Sequence, residues 1–468
     1  MGELKYPGFR FNNFFSRIGY LAVGSLLKFF VQLAIVILYS HKLSLTDYGI
    51  YQFIWMYINF FSVMGLFGVT TLMLSTSLPS LTVWIKANKK LLLFLFAAVN
   101  SLALLFLFVS GTYFSPYEKT LLVILLFLQN VSLIAESLAI KNEEEKKLFY
   151  SNLAYTIIYA FIHFYILYNT YSVTALLEFV IIATIVKCII LFYGSKPQAF
   201  EVKQHNTIGK QWLLLGINDI LGVLVKWTDK WLILFFLPAA EFAVYFNGTY
   251  EIPVFMIILG AIGSVSLVDF SKIKENDGSG VKVLFEKPSL LMASLVFPAF
   301  WFFIFYSDAF ILTLFGSKYA ASIPIFEISI LILPVRIIYS TTVLQVYNRT
   351  DLIVKGSVID FIIGVLLMWI LYPFWGIRGL AIAFVISTYI QVGYYLWHTG
   401  KLIGQNISYF LPFRKLLVLM LTGGLLIAAS NYLVNDLGML YRLLTGITVS
   451  AAVIFMSLYF SREKSSAY

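Results

Sequence analysis

Charge is scarce in this sequence: Asp, Glu, Lys and Arg make up 12% of its 468 residues, against about 25% in a soluble globular domain. With 60% hydrophobic residues, that scarcity excludes a water-soluble enzyme or binding module and marks an integral membrane protein. No hydrophilic stretch exceeds about 20 residues, short of the roughly 50 an extramembranous domain needs. Cysteine occurs once, as Cys188 inside an apolar run, so neither an internal disulfide nor a cysteine-rich metal site can form, and the thiol is expected to pack. His41, His163, His205 and His398 are scattered, with none spaced as a metal-ligand pair. Neither GxSxG nor a phosphate-binding loop is present, and no cofactor motif stands out. These gaps disfavour an enzyme.

What the sequence does have is apolar runs of membrane length. About fourteen of them, each roughly 20 residues, lie near 18–39, 50–74, 91–111, 120–140, 148–169, 175–193, 211–236, 243–268, 289–309, 321–346, 354–373, 379–398, 415–434 and 440–460. Pro298, Pro324 and Pro334 are expected to break or kink the ninth and tenth. The fold class is therefore an all-α polytopic membrane protein. Its net charge of +10 reads as basic cytoplasmic loops rather than a nucleic-acid partner. The N-terminal MGELKYPGFRFNNFFSR lacks a small-residue cleavage site, so the first helix is expected to stay.

The run from Gln211 to Phe236, QWLLLGINDILGVLVKWTDKWLILFF, carries Asp219, Lys226, Asp229 and Lys230. On a helix, Asp219, Lys226 and Lys230 fall within roughly 40° of one another. Each charge at a bilayer centre costs about 2.5 to 3.5 kcal/mol, so such a stripe is expected to line a polar interior. The alternative is a structural pair of Asp219 with Lys226. In the first span Arg17, Gly24 and Lys28 repeat the same seven-then-four spacing. Further charges within spans are Glu136, Lys187, Glu251, Glu327, Arg336 and Asp360; for Lys187 and Lys230, near span ends, snorkelling to the interface is the competing reading. A buried basic cleft suits a phosphate or pyrophosphate. The carboxylates Asp219, Asp229, Glu251, Glu327 and Asp360 permit coupling to Na+ or H+.

Laying the first span on the seventh at an offset of 194 residues aligns LSLTDYGIYQF, Leu43 to Phe53, with LPAAEFAVYFN, Leu237 to Asn247. Tyr51 then meets Tyr245, Tyr48 meets Phe242, and Lys28 overlays Gly222, so both stripes can face one cleft. Six spans separate the copies, which relates the halves by a pseudo-two-fold axis along the membrane normal. The expected organisation is a six-helix lobe over 1–195, a cytoplasmic linker over 196–210, a second six-helix lobe over 211–400, and two extra helices with a tail over 401–468.

LYSHKLSLTDYGIYQF with MGLFGVTTLML in the first half, KWTDKWLILFFLPAAEFAVYFNGTYEIP in the second, and FGSKYAASIPIFEISILIL at Phe315 to Leu333 resemble the Wzx-type polysaccharide flippases. That family shares a superfamily of exporters with MurJ and the MATE drug transporters. The resemblance implies two lobes in alternating access and a polyprenyl-pyrophosphate-linked oligosaccharide carried from the cytoplasmic to the outer leaflet of a bacterial inner membrane. It also implies cationic residues at Lys28 and Lys226, with Lys230 and Arg336 as further candidates, and contacts with membrane lipid and other polysaccharide-assembly membrane proteins. The last two helices would match the pair that forms a lipid-tail groove in MurJ-like members. Lys230 stands where an arginine is frequent, which makes a bidentate phosphate contact there less expected. The rivals are a MATE-like cation-coupled drug exporter, which would want an acidic cavity, and a membrane glycan polymerase or ligase.

Lys and Arg outside the spans number about 23 on the N-terminus, alternate loops and C-terminal tail, and about 5 on the other loops, which places both termini in the cytoplasm. A reporter fused at Tyr468 should read as cytoplasmic. A periplasmic signal would require an odd span count and overturn the two-lobe organisation.

Overall fold

A computed structural model of the chain describes residues 11–75, 78–110, 113–142, 144–169, 171–193, 208–250, 278–338, 341–347 and 349–463. The described backbone is helical throughout, without a strand. Hydrocarbon leaves no water to bond a free N–H or C=O, and a helix satisfies both within one segment. Eleven described segments are long and apolar enough to cross a membrane. Two more helices, of 32 and 24 residues, stand where the first and fifth spans are expected. The eighth expected span lies mostly outside the described residues.

Two compact units make up the chain, Met1–Val223 and Leu224–Tyr468. The first holds α1 (Phe11–Lys42), α2 (Leu45–Leu66), α3 (Val69–Ser75), α4 (Leu78–Ala87), α5 (Lys89–Ser110), α6 (Pro116–Lys141), α7 (Glu145–Tyr168), α8 (Val173–Phe192) and the start of α9 (Ile208–Phe236). The second holds the rest of α9, then α10 (Ala239–Gly248), α11 (Gly278–Phe305), α12 (Ser307–Phe315), α13 (Ile323–Ile330), α14 (Thr342–Val346), α15 (Thr350–Trp375), α16 (Ile377–Ile403), α17 (Ile407–Phe410), α18 (Phe413–Leu433) and α19 (Met439–Glu463).

In the first unit α2 is the buried helix, with Tyr48, Tyr51, Phe53, Tyr57 and Phe61 in the core. Its aromatic side chains fill the space among α1, α5 and α6. α5 is the opposite case: Phe94, Leu105 and Phe108 are exposed, an apolar face suited to lipid tails. Ser44 starts α2 by accepting the Asp47 N–H at 3.0 Å, an N-cap that satisfies one orphan donor. At the other end Phe67 and Gly68 take φ of 40° and 74°. A Cβ on Gly68 would lie 2.5 Å from the backbone nitrogen of Gly216 on α9, so this glycine of the MGLFGV motif serves both turn and close approach.

The 194-residue repeat is visible in the backbone. Helix geometry lapses at Leu43 and Ser44, and again at Leu237 and Pro238, the residues the offset pairs. Leu43 N–H donates to Tyr39 and Leu237 N–H to Ile233 at 2.9 and 2.8 Å, again one offset apart. Tyr48, Tyr51, Phe242 and Tyr245 are all buried.

The ninth span differs from expectation, and the tenth is interrupted at its prolines as expected. α11 passes through Pro288 and Pro298 without a break, and the interruption falls at Tyr306 instead. Segment 317–337 is broken into a 3₁₀ turn, α13 and a second 3₁₀ turn, with Pro324 and Pro334 each in a first turn, where the missing N–H costs nothing. The glycine, tyrosine and proline of FGSKYAASIP now have separate reasons. Gly316 takes φ 96°, Tyr319 is buried, and Pro324 opens α13. Ser322 donates to the Val244 carbonyl at 2.7 Å, which fastens this segment to α10.

The last two helices pack on α11 through small residues. A Cβ on Gly424 would meet Trp301 at 2.8 Å, and one on Gly446 would meet Phe302 at 2.9 Å, the close approach typical of helix contacts in lipid. Trp301 Nε1–H donates to the Met420 carbonyl at 2.8 Å. Arg442 forks onto Asp308 at 2.8 and 3.3 Å.

Gly404 shares the left-handed conformation at φ 69° but has open space where its Cβ would go. Gly404→Ala should cost about 1 kcal/mol of strain, and Gly68→Ala about 3 because overpacking is added. Thermal unfolding in detergent checks the ranking; equal losses would mean that the Gly216 contact carries no weight.

Candidate functional site

Each unit holds its own set of charges inside the membrane-spanning helices. In the first, Glu136 on α6 and Lys187 on α8 form an ion pair. Both helices end at the same remove from the charge, Glu136 standing five residues before Lys141 and Lys187 five before Phe192. Only 5% of the Lys187 side chain is exposed, and its ammonium lies 4.9 Å from the ring centroid of Tyr155 on α7. Lys187 therefore does not snorkel: the Glu136 carboxylate and the Tyr155 face satisfy the charge where it stands. Lys28, half-buried on α1, joins the same electrostatic neighbourhood, repelled by Lys187 and attracted by Glu136. The side chain of Arg17 lies outside the described residues.

α9 is one continuous helix, which keeps Asp219, Lys226 and Lys230 on the face the spacing predicts. Asp219 is half-buried in the first unit, and Lys226 is exposed in the second. The Lys226 and Lys230 ammoniums both lie over the indole of Trp227, 5.6 and 5.5 Å from its centroid. Asp229 is buried and accepts from the Tyr245 hydroxyl on α10 at 2.8 Å. It also accepts the Lys230 N–H at 2.8 Å and faces the Lys230 ammonium at 3.5 Å. The Lys230 side chain is 12% exposed, so it too is held inside rather than snorkelling.

A second polar point in this unit surrounds Asp360 of α15. The buried carboxylate lies beside Ser387 of α16, whose hydroxyl donates to the Phe384 carbonyl at 3.1 Å. A gap of about 10 Å³ opens beside it, lined by Thr228, Asp360, Gly364 and Ser387 with apolar neighbours. Such a space fits a single water or small ion and little else. Glu327 is placed elsewhere, accepting from Ser307 at 2.6 Å, a contact that ties α13 to α12. Glu251 lies outside the described residues.

His163 stands apart from these charged clusters. His163 is fully buried among Tyr39, Tyr51, Trp55 and Tyr159, while His205 lies outside the described residues. Among the described residues no group of three His, Cys, Asp or Glu could hold a metal ion. The spacing argument missed Glu136 with Lys187, and Tyr245 as the donor to Asp229. The equal depth of Glu136 and Lys187 below their helix ends was the available signal for the first.

A family model described as polysaccharide biosynthesis protein matches residues 42–324, more than half of the chain. No curated protein sequence matches it. Among solved structures the chain is similar to the lipid II flippase MurJ in an inward closed conformation, with a TM-score of 0.65 at 17% identity over 95% of this chain and 99% of that one. It is also similar to an inward-facing multidrug resistance MATE family transporter of the MOP superfamily, with a TM-score of 0.54 at 12% identity over 82% and 98%. At these identities the likeness is one of fold: a multi-pass helical membrane protein of the MurJ and MATE type.

Removing the hydroxyl that serves Asp229 should be costly, because a buried carboxylate then keeps fewer donors. Tyr245→Phe is expected to lower stability by about 1 to 3 kcal/mol. In Asp229→Asn the same substitution should cost clearly less, which a double-mutant cycle on thermal unfolding will read; an equal cost in both backgrounds would show that the bond contributes nothing.

Proposed function

The chain belongs to the polysaccharide biosynthesis protein family, and from that premise we propose that it is a flippase. Its substrate is a polyprenyl-pyrophosphate-linked oligosaccharide, a repeat unit of a surface polysaccharide. The chain turns that lipid from the cytoplasmic to the outer leaflet of a bacterial inner membrane by alternating access, with both of its own termini in the cytoplasm. Other polysaccharide-assembly membrane proteins would supply and receive the substrate. The observation that carries the reading is the sign of the charge: Lys28 with Lys187 in one unit, and Lys226 with Lys230 over Trp227 in the other. Pyrophosphate is the part of such a substrate that needs cations, and Lys meets it as a compact point charge. The candidates for that contact are Lys28 in the first unit and Lys226, with Lys230 and Arg336 in support, in the second.

A drug exporter for cationic compounds would need the reverse sign at these positions, which counts against the MATE-like alternative. A polymerase or ligase would need chemistry that the scattered histidines do not offer. For coupling, Asp360 beside Ser387 and Arg336 is the carboxylate best placed to exchange Na+ or H+. Asp229 is bound by Tyr245 and Lys230, and Glu327 by Ser307; with Asp219 and Glu251 they complete the candidate network.

Lys226→Ala should make lipid-linked oligosaccharide accumulate on the cytoplasmic leaflet at normal protein abundance, while Lys226→Arg keeps the charge and part of the activity. Loss of a charge-assisted contact in a partly dehydrated site is worth a few kcal/mol, against about 0 to 1 for a surface pair. Should Lys226→Ala combined with Asp219→Asn restore transport, Lys226 would be a neutralising partner and not a substrate ligand.

A further inference from the structure

We propose that the second unit carries a binding site for an anionic phospholipid: one acyl chain fills an apolar pocket at the end of α9, and the phosphate meets Arg378 beside it. The pocket has a volume of about 360 Å³, within the range of a small-ligand site. Leu232 and Phe236 of α9, Met368, Trp369 and Tyr372 of α15, and Leu380 of α16 line it. Met368 and Leu380 are buried, whereas Phe236 and Trp369 are each 70% exposed, so the pocket opens outward. Trp369 continues a stripe of exposed apolar residues on α15 that begins with Ile362 and Leu366, the pattern of a helix face turned to lipid. What enters from that side is a molecule dissolved in the bilayer, and phospholipid is its bulk component.

The pocket follows from local structure. Pro373 lies within α15 and has no N–H to donate to the Trp369 carbonyl, so the last turn of that helix is loosened beside the end of α9. Beyond it α15 and α16 meet closely, since a Cβ on Gly379 would lie 2.6 Å from the Leu371 carbonyl oxygen. The hairpin is thereby held as one piece. Left empty, an apolar space of this size would forfeit the dispersion contacts of its whole lining, and a hydrocarbon chain restores them. Lipid tails are as apolar as the lining, so the chain alone gives no choice among lipids. The choice falls to the headgroup. Between Asp360 and Lys401, Arg378 is the one Lys, Arg, Asp or Glu; it is exposed and stands two residues before Leu380. Tyr372 and Trp375, also exposed, are residues suited to headgroup depth. This loop is among those poor in Lys and Arg, so the excess of cations on the opposite loops does not account for it. A guanidinium pairs with a phosphate in a two-pronged contact. A zwitterionic lipid brings its own ammonium to the same place and gains less.

The site stands on the pocket and Arg378, apart from the flippase reading. Native mass spectrometry of the delipidated full-length protein, with phosphatidylglycerol, phosphatidylcholine or a polyprenyl phosphate added at equal concentration, tests it. Wild type should bind phosphatidylglycerol about tenfold more tightly than phosphatidylcholine, the effect of one charge-assisted bond. Arg378→Gln should abolish that preference. Leu232→Trp, which fills the pocket, should weaken both phospholipids about tenfold, while Leu105→Trp on the exposed face of α5 should weaken neither. Because Leu232→Trp can fail to fold, Arg378→Gln at its exposed position decides by itself. Equal affinity of wild type for the two phospholipids, or an unchanged preference in Arg378→Gln, would overturn the site. So would undiminished binding by a folded Leu232→Trp, or a polyprenyl phosphate bound more tightly than phosphatidylglycerol. Selective phosphatidylglycerol binding by a protein that moves no lipid-linked sugar in cells would retain the site and remove the flippase reading.

Discussion

A cationic side chain inside a bilayer must have an acceptor within reach, and much of this structure follows from that constraint. Lys187 meets it twice, through Glu136 and the Tyr155 ring. Lys230 meets it through Asp229 and Trp227, and Arg442 through Asp308. Each solution crosses from one helix to another or locks one turn of a helix, so these charges also fix helix rotation. Breaking such a pair costs far more than never having made it. Charge is scarce because each instance has to be served in this way.

The second organising feature is the repeated break after the first helix of each unit. Ser44 caps α2 with its own side chain, whereas Pro238 in the matching place supplies a fixed φ and no side-chain bond. Different chemistry produces the same interruption, and in both copies the aromatic residues that follow are buried. At the position where the first unit has the buried Ile35, the offset places Asp229, also buried. The second copy has thus put a carboxylate, with Tyr245 and Lys230 around it, into a core position that is apolar in the first.

Much of this was legible in the sequence. Hydropathy alone marks most spans, and the 194-residue offset finds the break residue by residue because the turn chemistry and the buried tyrosines are local. The stripe on α9 is legible for the same reason, since helical periodicity determines which residues share a face. The partners across helices are not. Glu136 and Lys187 are 51 residues apart, and nothing in an apolar run states how two helices are rotated against each other. Snorkelling therefore competed with pairing for Lys187 until packing decided it. Proline was a poor guide to the ninth span: Pro288 and Pro298 lie within an intact helix, and buried Tyr306 marks the break. Glu327 read as a coupling residue because its charge is visible in the sequence, whereas its hydrogen bond to Ser307 is a product of how α12 and α13 meet.

The central claim is that the cations within the spans serve a lipid-linked anion. Native mass spectrometry of the protein purified from its own membrane tests it most directly. The account predicts a bound species with the mass of a polyprenyl pyrophosphate carrying a defined oligosaccharide, released intact when the detergent is stripped. Finding only ordinary phospholipid, or a bound organic cation, would contradict it.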